Sequence, residues 1–221
     1  MTDRTGEEAA TRQEVRETYE RIASHFSETR AHPWPEVESF VADVDPVETA
    51  LDVGCGNGRH SVVLAQKARR VVALDASRNL LASAVENAEH PGIRFCQGDA
   101  ARLPLDADSV GLAVYVATLH HLPSQGMRID SLDELARVLD PEGRGLVSAW
   151  STAHDRFDAD AEAEAGFDTT LDWTLPDGET VDRFYHIYAP AEFRRDLETS
   201  ALTIESMRVS SGNCYAVVSG D

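Results

Sequence analysis

The stretch Leu51-Asp52-Val53-Gly54-Cys55-Gly56-Asn57-Gly58 decides the fold. It closes a short apolar run, Ala50–Val53, and opens a helix-like stretch near Arg59–Ala68. Gly54, Gly56 and Gly58 let the backbone turn sharply and approach a ligand with no Cβ in the way. A dinucleotide fingerprint of the G-x-G-x-x-G kind needs its third glycine where Arg59 stands. In open α/β sheets, ligands bind outside the carboxyl ends of the strands, where strand order reverses. A tight turn between strand and helix is the plain alternative.

Outward from this loop, strand-like and helix-like patterns alternate. Val15, Tyr19, Ile22 and Phe26 recur on one face of a helix over Arg12–Phe26. Pro33 and Pro35 interrupt the chain around Trp34, and a helix restarts over Glu36–Val44. Val71–Asp75 reads as a second buried strand, Ser77 caps a helix running to Ala88, and Ile93–Cys96 is a third strand. Val110–Val116 is a fourth, continuously apolar as a strand covered on both faces should be. Ser131–Leu139 is helical, Pro141-Glu142-Gly143 forms a turn, and Gly145–Trp150 is a fifth strand. The acidic stretch Asp155–Asp168 reads as solvated loop or fraying helix. Ala191–Thr199 is a helix, and Leu202–Val209 with Tyr215–Val218 forms a closing strand pair. The sum is a doubly wound α/β sheet in one domain, residues 12–221. A helical cap at 12–45, an acidic insertion at 151–182 and a disordered acidic N-terminus at 1–11 elaborate it.

Composition narrows the function classes. With 221 residues, 42% of them hydrophobic, the chain supports one well-buried domain. Its longest nearly uncharged apolar run, Val110–Leu119, is far shorter than the roughly 18 residues of a membrane span. The N-terminus has no apolar core, so no secretory signal is expected. Cys55, Cys96 and Cys214 are scattered, which disfavours a disulfide framework or a zinc site and fits a reducing cytoplasm. Acids outnumber Lys and Arg 39 to 20, for a net charge of −19, and Lys67 is the only lysine. At face value this repels nucleic acid. Adaptation to molar salt is preferred, because screening over roughly 3 Å removes that repulsion while carboxylates keep the surface hydrated.

The alternating glycines, with Asp52 just before them, resemble the first motif of class I S-adenosylmethionine-dependent methyltransferases. Three further stretches narrow the resemblance: Val15–Pro35 with its His25-Phe-Ser-Glu-Thr-Arg-Ala-His-Pro-Trp-Pro35 string, Ala117-Thr-Leu-His-His-Leu122, and Asp182-Arg-Phe-Tyr-His-Ile-Tyr188. Together they look like the tRNA methyltransferases that esterify 5-carboxymethyluridine at the anticodon wobble position. Leu122 departs from an expected tryptophan, and Phe184 from a commoner tyrosine. The resemblance implies a Rossmann-like, mostly parallel seven-stranded sheet with a C-terminal antiparallel hairpin. It implies S-adenosylmethionine held by Tyr19, Asp52, Gly54, Gly56, Gly58, Asp75, Asp99, Ala100 and Val116, with Asp75 on the ribose and Asp99 with Ala100 at the adenine. It also implies a small zinc-binding activator protein that extends the sheet at the third-strand edge, Ile93–Cys96, by backbone pairing.

The substrate chemistry suits the residues. A carboxylate nucleophile is ionised at neutral pH, so positioning and desolvation replace a general base. Arg30 and Arg183 are candidates for a two-pronged grip on that carboxylate. His120 is placed with them, while His121 and His186 orient the substrate and Trp34 or Tyr185 stacks an unpaired uracil. Against this, the arginines can pair with abundant surface acids. Trp34 can be a staple for its helix. His120 and His121 are not expected to hold a metal, because adjacent side chains point apart and no third ligand is evident. Arg12, Arg16, Arg21 and Arg30 form only a broken basic strip, interrupted by Glu14, Glu17, Glu20 and Glu28. Two rivals stay open: a methyltransferase for a small carboxylic acid or quinone precursor, and a non-catalytic cofactor binder.

Overall fold

In the computed structural model, residues 10–157 and 163–220 are described. The acidic stretch 1–9, expected to be disordered, lies outside them, as does the centre of the acidic insertion. Thr11 belongs to the first helix rather than to a tail. Its hydroxyl accepts from the Glu14 N–H, and the Glu14 carboxylate accepts from the Thr11 N–H, a capping box that starts α1 (Arg12–Thr29). A second helix, α2 (Pro35–Ala42), follows with proline in its first turn.

The main sheet is seven-stranded. Its parallel part comprises β1 (Val47–Val53), β2 (Ala68–Asp75), β3 (Ile93–Gln97), β4 (Val110–Val116) and β5 (Leu139–Trp150). Between these lie α3 (Arg59–Leu64), α4 (Arg78–Asn87) and α5 (Gln125–Val138). A second sheet pairs β6 (Phe167–Thr174) with β7 (Thr180–Ile187), antiparallel and in continuous register. Then come α6 (Pro190–Thr199), β8 (Thr203–Ser210) and β9 (Asn213–Ser219). The spatial order is β3-β2-β1-β4-β5-β9-β8, with β9 antiparallel to both its neighbours.

Alternation along β4 shows why its apolar run is unbroken. Ala113 and Tyr115 pack towards α5 and α6, while Leu112, Val114 and Val116 pack towards α2, α3 and α4. Both faces are covered, so both parities must be apolar. The order reverses between β1 and β4, and the glycine loop leaves β1 at that point.

Two local expectations are corrected. Pro141-Glu142-Gly143 lies within β5, not in a separate turn. The register against β4 jumps from Val110↔Leu139 to Leu112↔Arg144, so these residues form an irregularity that the strand absorbs. The acidic stretch, expected to stay loop or helix up to Asp168, is already strand from Phe167. Its odd-numbered positions, Phe167, Thr169, Leu171 and Trp173, are apolar or small. Asp168 and Asp172 fall on the even ones, and their charge obscured the period of two.

Candidate active site

Carboxyl ends of the strands, α1 and the β6–β7 hairpin enclose a cavity of about 850 Å³, the size of a small-molecule site. On its floor the glycine loop turns beneath the end of β2: the N–H groups of Gly54 and Cys55 both donate to the Leu74 carbonyl, at 2.7 and 2.9 Å. Gly54 has φ +71°, and a Cβ there would overlap the side chain of Thr118. Gly56 lines the cavity, and its N–H donates to Asp75 Oδ2 at 2.8 Å. Gly58 does not line it. It caps α3 at φ +81° and packs against Ala84 of α4 and Ala88 at that helix's C-cap.

The carboxylates differ in what they face. Asp75 lines the cavity, its second oxygen accepting from the Ser77 N–H at 2.9 Å. Burial pushes its carboxyl up, although the N–H groups of Ser77 and Gly56 stabilise the charge. Asp52 lies beneath the loop, away from the cavity, and accepts from Ser61 Oγ at 2.6 Å. There burial lifts its carboxyl from 3.8 to about 7. Asp99 and Ala100 line the far end, where Arg12 of α1 pairs with Asp99 across the opening. Val116 and Tyr19 also line the wall.

Polar latches hold α1 over this site, for only Ile22 and Ala23 of the helix are buried. Glu20 accepts from the N–H groups of Arg78 and Asn79, each at 2.8 Å, and from Ser77 Oγ at 3.0 Å, so it caps α4 from a neighbouring helix. Burial opposes its charge, but the hydrogen bonds from Asn79 and Arg78 win and hold the carboxyl below its ordinary 4.5. The Asn57 side chain, which the sequence reading did not single out, donates to the carbonyls of Ser27 and Arg30 at 3.3 and 3.0 Å. It thereby ties the glycine loop to the end of α1.

A 3-10 turn at Leu119–His121 delivers two histidines to the same cavity. Their rings stand 4.4 Å apart, edge to face. The expectation that neighbouring side chains diverge holds for a strand and not for this turn. His120 Nδ1 accepts the Trp150 N–H at 2.9 Å, so the proton of the neutral ring is on Nε2. Burial, reinforced by His121, keeps that ring neutral far below the usual histidine range. His121 Nδ1 faces the Phe184 carbonyl at 3.0 Å and must donate to it, leaving Nε2 to accept the Tyr19 hydroxyl at 2.8 Å. Burial brings its pKa down to about 4. Among the described residues no group of histidines, cysteines and acids is placed to hold a metal ion.

Arg30, at the end of α1, and Arg183, on β7, both line the cavity. Neither makes an ion pair among the described residues, although the chain carries 39 acids. The Nε of Arg183 is buried with no hydrogen-bond partner. Arg59, a further cavity arginine that the sequence reading left aside, has its guanidinium 5.9 Å from the Trp34 ring. Burial and then the charge of Arg30 lower its pKa to about 10. The period of two explains the absence of acids: Val181, Arg183 and Tyr185 share one face of β7, while Asp182 lies on the other.

Of the proposed base-contacting residues, Trp34 lines the cavity, edge to face with His60 and Tyr215 at 6.1 and 6.4 Å. Tyr185 lines it too, but its ring is buried among His120, His121 and Trp150, at 5.1, 4.6 and 5.3 Å. His186 is not brought to the cavity. It has the even parity of β7 and lies between Asp168 and Glu192, at 2.7 and 3.1 Å. Trp150, the last residue of β5, and His154 just beyond it line the cavity instead. Their aromatic character after a buried strand was the available signal.

Residues 51–147 match the family described as "Methyltransferase domain". A tRNA (carboxymethyluridine(34)-5-O)-methyltransferase of Schizosaccharomyces pombe is 25% identical over 209 residues, covering 86% of this chain and 89% of that protein. The mouse enzyme of the same description, ALKBH8, is 32% identical over 137 residues, 62% of this chain. The chain spans about a fifth to a third of the length of the vertebrate relatives it matches, 20% for the mouse protein. Among solved structures, a chain from the complex of the Haloferax volcanii Trm112 methyltransferase activator with a methyltransferase superposes with a TM-score of 0.69. It is 16% identical, over 93% of this chain and 97% of that one.

Proposed function

We propose that this chain is a class I S-adenosylmethionine-dependent methyltransferase, a reading that its methyltransferase-domain match, its full-length yeast relative and its fold support, and that it methylates the carboxylate of 5-carboxymethyluridine at the wobble position of tRNA. The observation that carries the reading is that Arg30 and Arg183 line the cavity with no acid partner among the described residues, in an acid-rich chain. Two guanidiniums whose charge no described acid neutralises suit an anionic substrate and suit a neutral one poorly.

The loop fits the cofactor. Gly54 and Gly56 bring bare backbone to the cavity wall, and Asp75 presents carboxylate lone pairs for ribose hydroxyls at the β2 end. Asp99 and Ala100 frame the adenine, and Tyr19 and Val116 border the reacting end. When bound, the cofactor supplies a methyl group on a sulfonium. Arg30 and Arg183 hold one carboxylate oxygen and leave the other's lone pair free for in-line attack. The substrate acid is ionised at neutral pH, so no side chain must take a proton. His120 Nε2–H is a donor for a uracil carbonyl, and neutral His121 fixes Tyr19 and carries no competing charge. Trp34 stacks the unpaired base.

The partner assignments extend this reading. β3 is an edge strand of the main sheet, and Ile93–Cys96 offers its unpaired side to a small zinc-binding activator subunit. No helix among the described residues is long and apolar enough to cross a membrane, and the reading places the enzyme with tRNA in the cytoplasm. Net charge −19 with one lysine fits a salt-rich interior, where repulsion between enzyme and RNA is screened. That same charge favours a small carboxylic acid as the second reading.

The deciding experiment incubates the full chain, co-expressed with the host's activator, with labelled cofactor in high salt. tRNA bearing carboxymethyluridine is expected to acquire label that mild alkali removes. Equal labelling of tRNA lacking the carboxymethyl group defeats the tRNA carboxyl assignment. Labelling of free small acids but of no tRNA selects the second reading.

A further inference from the structure

Trp173 lies outside the lining of the cavity, yet Arg30 and Arg183, which do line it, are both built on it. The Arg183 guanidinium stands 4.6 Å from its ring centroid and the Arg30 guanidinium 5.3 Å. Trp173 on β6 is the diagonal cross-strand neighbour of Arg183, because Leu171 pairs with Arg183 and Trp173 with Val181. The indole is itself held: its N–H donates to His25 Nδ1 at 3.1 Å, and the ring packs against Ile22 and Val181. So α1, which carries Arg30, and β7, which carries Arg183, meet on one aromatic side chain.

Two like charges facing one cavity repel, and the described residues put no acid between them. The electron-rich face of an indole attracts guanidinium groups and gives them a flat surface to lie along. We propose that Trp173 is a positioning residue: it holds the Arg30 and Arg183 guanidiniums as one fork and so sets the preference of the site for a planar anion over a neutral group of the same shape. This rests on the carboxylate reading above. The competing account is that Trp173 only packs α1 onto the hairpin.

The test measures binding of two nucleosides, 5-carboxymethyluridine and its neutral isostere 5-carbamoylmethyluridine, to full-length protein saturated with S-adenosylhomocysteine. The parent is expected to prefer the acid by about tenfold or more, the scale of one charge-assisted contact. Trp173→Leu is expected to bring the preference below about twofold with cofactor-product affinity unchanged, and Trp173→Phe, a weaker aromatic face, to fall between. A Trp173→Leu variant that binds the cofactor product normally and keeps the parent's preference overturns the inference. Should that variant not fold, a Trp173→Phe variant indistinguishable from the parent overturns it instead. A parent with no preference between the nucleosides sinks the carboxylate reading itself, which separates the two failures.

Discussion

The glycine-loop wall of the cavity and its hairpin wall differ in how far apart their residues lie along the chain. On the loop side, Asp52 to Gly58 is one local stretch, joined by Asp75 and Asp99 from the next two strand ends. On the hairpin side, the hydrogen bond from Trp173 to His25 spans 148 positions, and Arg30 and Arg183 meet across the Trp173 ring. The charges are opposite as well. The loop side gathers carboxylates, of which Asp75 faces the cavity and Asp52 lies beneath. The hairpin side gathers guanidiniums, and its alternation turns Asp168, Asp172 and Asp182 to the other face. The difference teaches that net charge describes a surface and not a site. A chain at −19 can still build a cationic pocket wall wherever a period of two sorts its side chains.

The comparison can be broken at four points. The largest effect is expected from Gly54→Val, which meets Thr118 and forces a β-branched residue to positive φ. Calorimetry should find cofactor-product binding lost; binding within a few-fold of the parent would remove the loop from the site. Next, Arg183→Met should lower methyl transfer about a hundredfold, as loss of a charge-assisted grip does. Its cofactor-product affinity should stay within about twofold, because the hairpin and loop walls bind different groups. A parallel loss of both would merge the two walls into one function.

Asp52→Asn tests the buried carboxylate under the loop. A folded pKa of about 7 against an ordinary 3.8 means that the folded state keeps a proton the unfolded chain has lost. Stability contributed by this group is therefore full at low pH and declines as pH rises through that interval. The asparagine variant should unfold a few degrees higher than the parent at pH 8 and show no such gain at pH 3. An equal shift at both pH values would contradict the burial argument. The smallest effect is expected from Arg12→Ala. Its pair with Asp99 is about half exposed, with side-chain accessibilities of 49% and 44%. Exposed pairs contribute roughly 0–1 kcal/mol, so cofactor affinity should fall by no more than about fivefold. A larger loss would make that pair a true gate over the adenine.

Much of the loop side was legible in advance. Strand ends, glycine spacing and the Ser77 cap are local, and hydrophobic runs such as Val110–Val116 carry their burial in their composition. The hairpin side was legible only in part. Arg30, Arg183 and Tyr185 were expected near the substrate and do line the cavity, while His186 was expected there and lies behind it. Its parity in β7 was readable, but which parity faces the cavity depends on how the hairpin docks against α1. The convergence of His120 and His121 likewise needed the 3-10 turn, because adjacent residues diverge in any extended chain.

By itself, then, the amino-acid order determined the doubly wound sheet, its glycine loop and the carboxylates at its strand ends. All of these follow from interactions a few residues apart or from the burial pattern of a single element. Tertiary structure alone decided that Trp173 joins two guanidiniums, that Asn57 ties the loop to α1 and that Glu20 caps a helix other than its own. Those contacts depend on the docking of α1 and the hairpin, and docking is set by surfaces whose partners lie far away in the chain.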